Sequence, residues 1–168
     1  MKTLTFFILF AAFILPSYAQ DNENRVQTGM SVPDFKVKMF DGNTIDIKEL
    51  RGKVVLLNFW ATWCPPCRLE LSHVQKEIID RFKDQDFVFL PISRQDSYDK
   101  IKAFREQTGY TFPMGMDPER EIYALFATAT IPRNYIIDKK GKIVFMETGF
   151  SEEAFKHLIG EIEKALKD

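Results

Sequence analysis

Apolar runs and mixed stretches alternate along the chain in the rhythm of strands and helices of one α/β domain. Val54 to Trp60 is an apolar run broken only by Asn58, the pattern of a strand covered on both faces. Phe87 to Ile92 is a second buried strand of this kind. Between them Cys67, Leu71, Val74, Ile78 and Phe82 recur every three or four residues, which predicts an amphipathic helix. Phe35 to Phe40 and Thr44 to Ile47 flank the turn signal Asp41-Gly42-Asn43 and predict a hairpin. Arg133 to Ile137 and Lys142 to Glu147 predict another, around Asp138-Lys139-Lys140-Gly141. Tyr98 to Gln107 and Arg120 to Phe126 read as helices, with a short strand near Phe112 to Met116. Ser151 is placed to cap a last helix whose Phe155, Leu158, Ile159, Ile162 and Leu166 form one stripe. This order implies an α/β fold, a central mixed β-sheet flanked by helices on both faces. The chain shows no internal repeat and no dividing linker.

The N-terminus departs from that rhythm. Lys2 precedes an unbroken apolar run from Phe6 to Leu15, and Pro16-Ser17-Tyr18-Ala19 follows. A charged start, a short apolar core and small residues before a cleavage point describe a secretory signal peptide over residues 1–19. A bilayer span takes about 20 apolar residues, so a retained anchor is the weaker reading. No cysteine follows the run, against a lipoprotein anchor. The expected location is periplasmic or otherwise extracytoplasmic, with no membrane span once the signal is removed. Gln20 to Met30 is polar and is expected to be a flexible arm (residues 20–30), leaving 31–168 as the domain.

With 45% hydrophobic and 28% charged residues, the 168-residue chain has a globular composition and not that of a disordered one. Lys and Arg number 23 against 24 Asp and Glu, a net charge of −1. No basic excess exists to neutralise a phosphate backbone, which argues against nucleic-acid binding. Two cysteines, Cys64 and Cys67, are too few and too close to staple the fold.

Those cysteines lie in Trp63-Cys64-Pro65-Pro66-Cys67-Arg68, where the buried strand gives way to the helix. Two intervening residues let the sulfurs meet in a short loop and cycle between dithiol and disulfide. Pro65, standing before Pro66, is biased away from helical geometry, so the helix is predicted to begin at Pro66. Cys64 then lies outside the helix end as the exposed, attacking thiol, and Cys67 in the first turn as the buried, resolving one. Unpaired N–H groups and the dipole favour a thiolate at Cys64, and the Cys67 N–H is the nearest donor. A zinc half-site is an alternative, but structural zinc takes four ligands and the chain has only His73 and His157 to add. An inert disulfide is another, although so small a loop would add little stability. The reading favours redox chemistry, with no metal and no cofactor.

Asn58-Phe59-Trp60-Ala61-Thr62-Trp63-Cys64-Pro65-Pro66-Cys67 resembles the active-site block of the thioredoxin superfamily. Val32-Pro33-Asp34-Phe35, the Asp41-Gly42 turn and Leu50-Arg51-Gly52-Lys53 resemble its exported TlpA/ResA-type branch of thiol:disulfide oxidoreductases and related redoxin domains. The resemblance runs from about Ser31 to the C-terminus and implies a thioredoxin fold with an N-terminal β-hairpin extension. It implies a redox disulfide between Cys64 and Cys67, and a cis-proline facing it at Ile131-Pro132. It also implies a carboxylate at Glu70, three residues after the second cysteine, as a proton relay in place of the buried Asp of thioredoxin, where Asn58 stands. Trp63, Pro65, Pro66, Ile131 and Pro132 become candidate substrate contacts. Trp60 reads as core. Arg133 replaces the Thr that often follows the cis-proline, which implies an altered charge preference for the partner.

The function so implied is an extracytoplasmic thiol:disulfide oxidoreductase, acting as a reductant. Its partners would be protein thiols and disulfides and an upstream electron donor, and the protein a monomer. A thiol peroxidase is an alternative suggested by the hairpin shared with peroxiredoxins, although their Thr stands three residues before the cysteine and Thr62 only two. A non-catalytic module binding through the surface around Trp63 and Pro132 is another.

Overall fold

The computed structural model describes residues 23–168. The expected signal peptide, residues 1–19, and the start of the expected arm, residues 20–22, lie outside the described residues. Seven strands form one mixed sheet in the order β2-β1-β5-β4-β3-β6-β7. They are β1 (Lys36–Met39), β2 (Thr44–Asp46), β3 (Val54–Trp60), β4 (Phe87–Arg94), β5 (Gly115–Asp117), β6 (Arg133–Ile137) and β7 (Ile143–Thr148). β3, β4 and β5 run parallel; on the far side of β3, β6 pairs with it antiparallel and β7 pairs antiparallel with β6. β3 and β6 are buried along their whole length, as their apolar runs require. The predicted hairpin is no appendage: β1 pairs with β5 through Lys38 and Met116 and so widens the central sheet. Gly115 is the residue that allows this, since a Cβ there would come within 2.7 Å of Val37 Cγ2.

Side chains alternate across β3 and sort the helices between the two faces. α1 (Pro65–Val74), α3 (Tyr98–Thr108) and α5 (Glu152–Lys167) cover the face of Asn58 and Trp60, Trp60 packing on Phe104 of α3 at 5.0 Å. Phe59 points the other way, into Tyr123 and Phe126 of the short α4 (Tyr123–Phe126). The predicted long helix after the cysteines is continuous but not uniform: α1 passes through a π-helical turn, Gln75–Ile79, into α2 (Asp80–Phe82). Cys67, Leu71, Val74, Ile78 and Phe82 are all buried along it. α5 buries Ala165 and leaves Leu166 only half-buried, so its stripe ends one residue early.

Two further expectations change. α4 begins at Tyr123, not at Arg120, because the Asp117 carboxylate accepts from the N–H groups of Ile122 (3.2 Å) and Tyr123 (2.8 Å) and starts the helix there. The arm from Glu23 to Met30 is not flexible but pinned. Arg25 N–H donates to Phe126 O at 2.9 Å, Gly29 N–H to Ile143 O at 2.7 Å, and Val26 is buried in the core. Its polar composition hid backbone pairing, which any side chain can accompany.

Candidate redox site

β3 delivers the chain to the turn Ala61-Thr62-Trp63, and Asp96, just past β4, locks that turn. Its enclosed carboxylate accepts from Thr62 N–H (2.7 Å), Thr62 Oγ1–H (2.8 Å) and Ser93 Oγ–H (2.6 Å). Cys64 follows as the N-cap of α1, its Sγ accepting from the Cys67 N–H at 3.3 Å. The helix therefore starts at Pro65, one residue before the predicted Pro66. The first-turn N–H groups have no intrahelical acceptor, so two consecutive prolines remove no bond, and their fixed φ suits the helix.

Cys64 and Cys67 are joined as a disulfide. Cys64 is only 4% exposed and Cys67 is fully enclosed, so the expected contrast between an exposed and a buried sulfur shrinks to one of degree. The Ile131–Pro132 bond is cis, and the Ile131 carbonyl oxygen lies 3.8 Å from Cys64 Sγ. Around this core Trp63 is 52% exposed, and Pro65 and Pro66 also face solvent. Ile131 and Pro132 are buried. The approach to the disulfide thus passes over Trp63 and the two prolines on one side and the Ile131 backbone on the other.

One turn after Cys67, Glu70 is 2% exposed. Its Oε1 accepts from Asn134 Nδ2 at 2.5 Å and lies 3.5 Å from Asn58 Nδ2, and Asn58 Nδ2 donates to Asn134 Oδ1 at 2.9 Å. Asn58, Asn134 and Glu147 are successive cross-strand neighbours on β3, β6 and β7, a polar row beneath α1. Phe155 and Leu158 of α5 close the remaining side. Glu70 Oε2 and Asn58 Oδ1 are enclosed without a hydrogen-bond partner. Burial pushes the Glu70 carboxyl up to about 8; the Asn134 hydrogen bond opposes this and the charge of Glu147 adds to it.

Arg133 does not face the disulfide. It lies on the α4 face, 2% exposed, donating from Nε to the carbonyls of Ala129 (2.9 Å) and Thr130 (3.0 Å). Nη1 donates to Asn24 Oδ1, and Nη2 pairs with Glu23 at 2.6 Å. The inferred influence on partner charge is overturned, because strand alternation turns this side chain to the opposite face from Asn134. Tyr123 completes the support, its hydroxyl lying 2.5 Å from Ala129 O and 2.7 Å from Thr130 O. These contacts hold Thr130 at φ 67°, a left-handed conformation that a β-branched residue rarely adopts, immediately before Ile131.

Asp96, Asn134 and Tyr123 belong to no motif in the sequence. Only Asn134 carries a local signal, a polar residue inside the apolar run of β6. Nothing local marks Asp96 or Tyr123.

The AhpC/TSA family profile matches residues 28–146. Thiol-disulfide oxidoreductase ResA of Bacillus anthracis is 31% identical over 143 residues, covering 85% of this chain and 81% of that protein. A provisionally named protein disulfide isomerase from Bacteroides thetaiotaomicron superposes with a TM-score of 0.82 at 40% identity, over 87% of this chain and 94% of that one. A provisionally named thiol:disulfide interchange protein DsbE from Chlorobium tepidum gives 0.78 at 26% identity, over 84% and 99%.

Proposed function

The chain belongs to the AhpC/TSA family and is a thiol-disulfide oxidoreductase of thioredoxin fold, and from that premise we propose that it reduces protein disulfides outside the cytoplasm. The observation that carries this reading is the Cys64–Cys67 disulfide at the N-terminus of α1 with an enclosed carboxyl group one turn behind it. The N-terminal pattern of Lys2, Phe6 to Leu15 and Ala19 supports export.

In the reduced protein the Cys64 thiolate attacks a substrate disulfide. One substrate sulfur leaves as thiolate and the other is held in a mixed disulfide with Cys64. The helix dipole and the Cys67 N–H stabilise charge on Cys64. Cys67 then loses its proton and attacks the Cys64 sulfur, which forms the intramolecular disulfide and releases the second substrate thiolate. Two electrons have passed to the substrate, and an upstream dithiol restores the pair.

Glu70 is the group proposed to accept the Cys67 proton. Its raised pKa keeps the carboxyl close to neutral pH, where it can both take and return a proton. Turning the Asn58 and Asn134 amides end for end would let a protonated Glu70 donate to Asn134 and Asn134 donate to Asn58. The trio therefore accommodates either charge state. The peroxidase alternative is disfavoured, since the Thr62 hydroxyl is already donated to Asp96.

The reduction potential of the Cys64–Cys67 couple tests direction. A value below about −230 mV supports a reductant, and one near the roughly −120 mV of a strong oxidant overturns it. Replacement of both cysteines by serine should abolish function. Retained function would instead make the domain a binding module.

A further inference from the structure

The surface around Trp63 holds three cations that make no ion pair among the described residues. Arg94, at the end of β4, is 9% exposed. Its guanidinium stands 4.5 Å from the centre of the Tyr123 ring and 5.7 Å from that of Trp63, bridging the helix that supports the cis-proline loop and the tryptophan beside Cys64. Its Nε is enclosed with no acceptor, while its terminal nitrogens keep some contact with solvent. The nearby carboxylates are already engaged. Asp117, the cross-strand neighbour of Arg94, receives the N–H groups of Ile122 and Tyr123, and Asp96 receives Thr62 and Ser93. Arg133, by contrast, is neutralised by Glu23.

A groove of about 330 Å³ also borders Trp63, with Phe104 as apolar floor, Arg68 and Lys100 as cations, and no carboxylate in its lining. Arg68 lies over the Phe104 ring at 5.9 Å. A buried guanidinium without an anion is costly, and its desolvated surroundings strengthen any charge it meets.

We propose that the Trp63 surface, through Arg94, Arg68 and Lys100, docks an extended segment of the substrate protein that carries acidic side chains beside its cysteine. This rests on the reductase reading and adds the chemistry by which a partner is chosen. The Tyr123 and Trp63 rings confine Arg94 between them, and its terminal nitrogens offer a fork to a carboxylate. The groove beyond Trp63 takes a second acidic residue.

The test compares two disulfide-linked peptides of equal length reduced by the reduced full chain. One has Glu on both sides of its cysteine and the other has Lys. At low salt kcat/KM should favour the acidic peptide by about tenfold, equivalent to about 1.4 kcal/mol, and the ratio should fall as salt screens the charges. Arg94→Gln should bring the ratio towards one. Lys100→Gln, on the exposed side of α3, should lower it without disturbing a buried residue. Equal rates for the two peptides overturn the proposal, and so does a preference that survives both substitutions. Failure to reduce an uncharged aromatic disulfide, as well as both peptides, would overturn the reductase reading itself.

Discussion

Replacing Glu70 by Gln keeps shape and removes the titrating proton, which makes it the most direct probe of the buried carboxyl. In the folded protein this group is pushed from an ordinary 4.5 up to about 8, chiefly by burial. The folded state therefore holds the proton more tightly than the unfolded chain. The stability it contributes is fully present below pH 4.5 and is lost as pH rises towards 8, with no further change above. At about 1.4 kcal/mol per pH unit, that interval corresponds to an upper value of about 5 kcal/mol. Glutamine has no such dependence and still offers an oxygen to Asn134 Nδ2. The stability of Glu70→Gln relative to the native sequence should thus rise by several kcal/mol between pH 4.5 and pH 8.5. Urea unfolding of the oxidised form at a series of pH values measures this without titration of the thiols, and every other group cancels in the difference. Stability curves that stay parallel across the interval would refute a strongly raised Glu70, and with it the relay. The reduced form supplies the functional half: Glu70→Gln should slow exchange and remove one titration from the pH–rate profile of the pair.

Cys67→Ser should accumulate mixed disulfides with substrate proteins and Cys64→Ser should trap none, read on non-reducing gels; equal trapping would reverse the assigned roles. Asp96→Ala strips the acceptor from Thr62 N–H, Thr62 Oγ1–H and Ser93 Oγ–H, and should cost about 3 kcal/mol in urea unfolding while slowing exchange through a loosened Trp63 turn. An unchanged exchange rate would confine Asp96 to stability. Arg133→Ala removes the cation from Glu23, which keeps the Thr130 hydroxyl, and strips a donor from the Ala129 and Thr130 carbonyls; it should cost about 1–2 kcal/mol, with the arm from Glu23 to Met30 becoming open to proteolysis, and resistance equal to the native protein would show that backbone pairing alone holds the arm.

Much of this protein follows from local pattern. The run from Val54 to Trp60 has the pattern of a strand buried on both faces, and it is one. Two cysteines separated by two prolines at the strand-to-helix junction favour a redox couple over a zinc half-site or an inert disulfide without reference to the rest of the chain. The spacing of Glu70 from Cys67 placed it on the helix flank that turns inward. These features are legible because helical and strand periodicities act over a few residues, and the chemistry of a CxxC pair is contained within one turn.

What the sequence could not decide depends on which distant residues meet. Arg133 stands beside the cis-proline in sequence yet serves Glu23 on the opposite face of the sheet, because the parity of β6 relative to the disulfide is set by its register with β3. The polar segment from Glu23 to Met30 was legible only as a polar stretch, since backbone hydrogen bonds to Phe126 and Ile143 leave no trace in side-chain composition. Asp96 is one of 24 acidic residues until the end of β4 brings it under Thr62. The pKa of Glu70 is likewise a tertiary property. The helix turns the carboxyl inward, but Asn58 comes from the preceding strand, and Asn134, Glu147 and the apolar side chains of α5 arrive from more than sixty residues further along the chain. Their joint exclusion of water holds the proton in place.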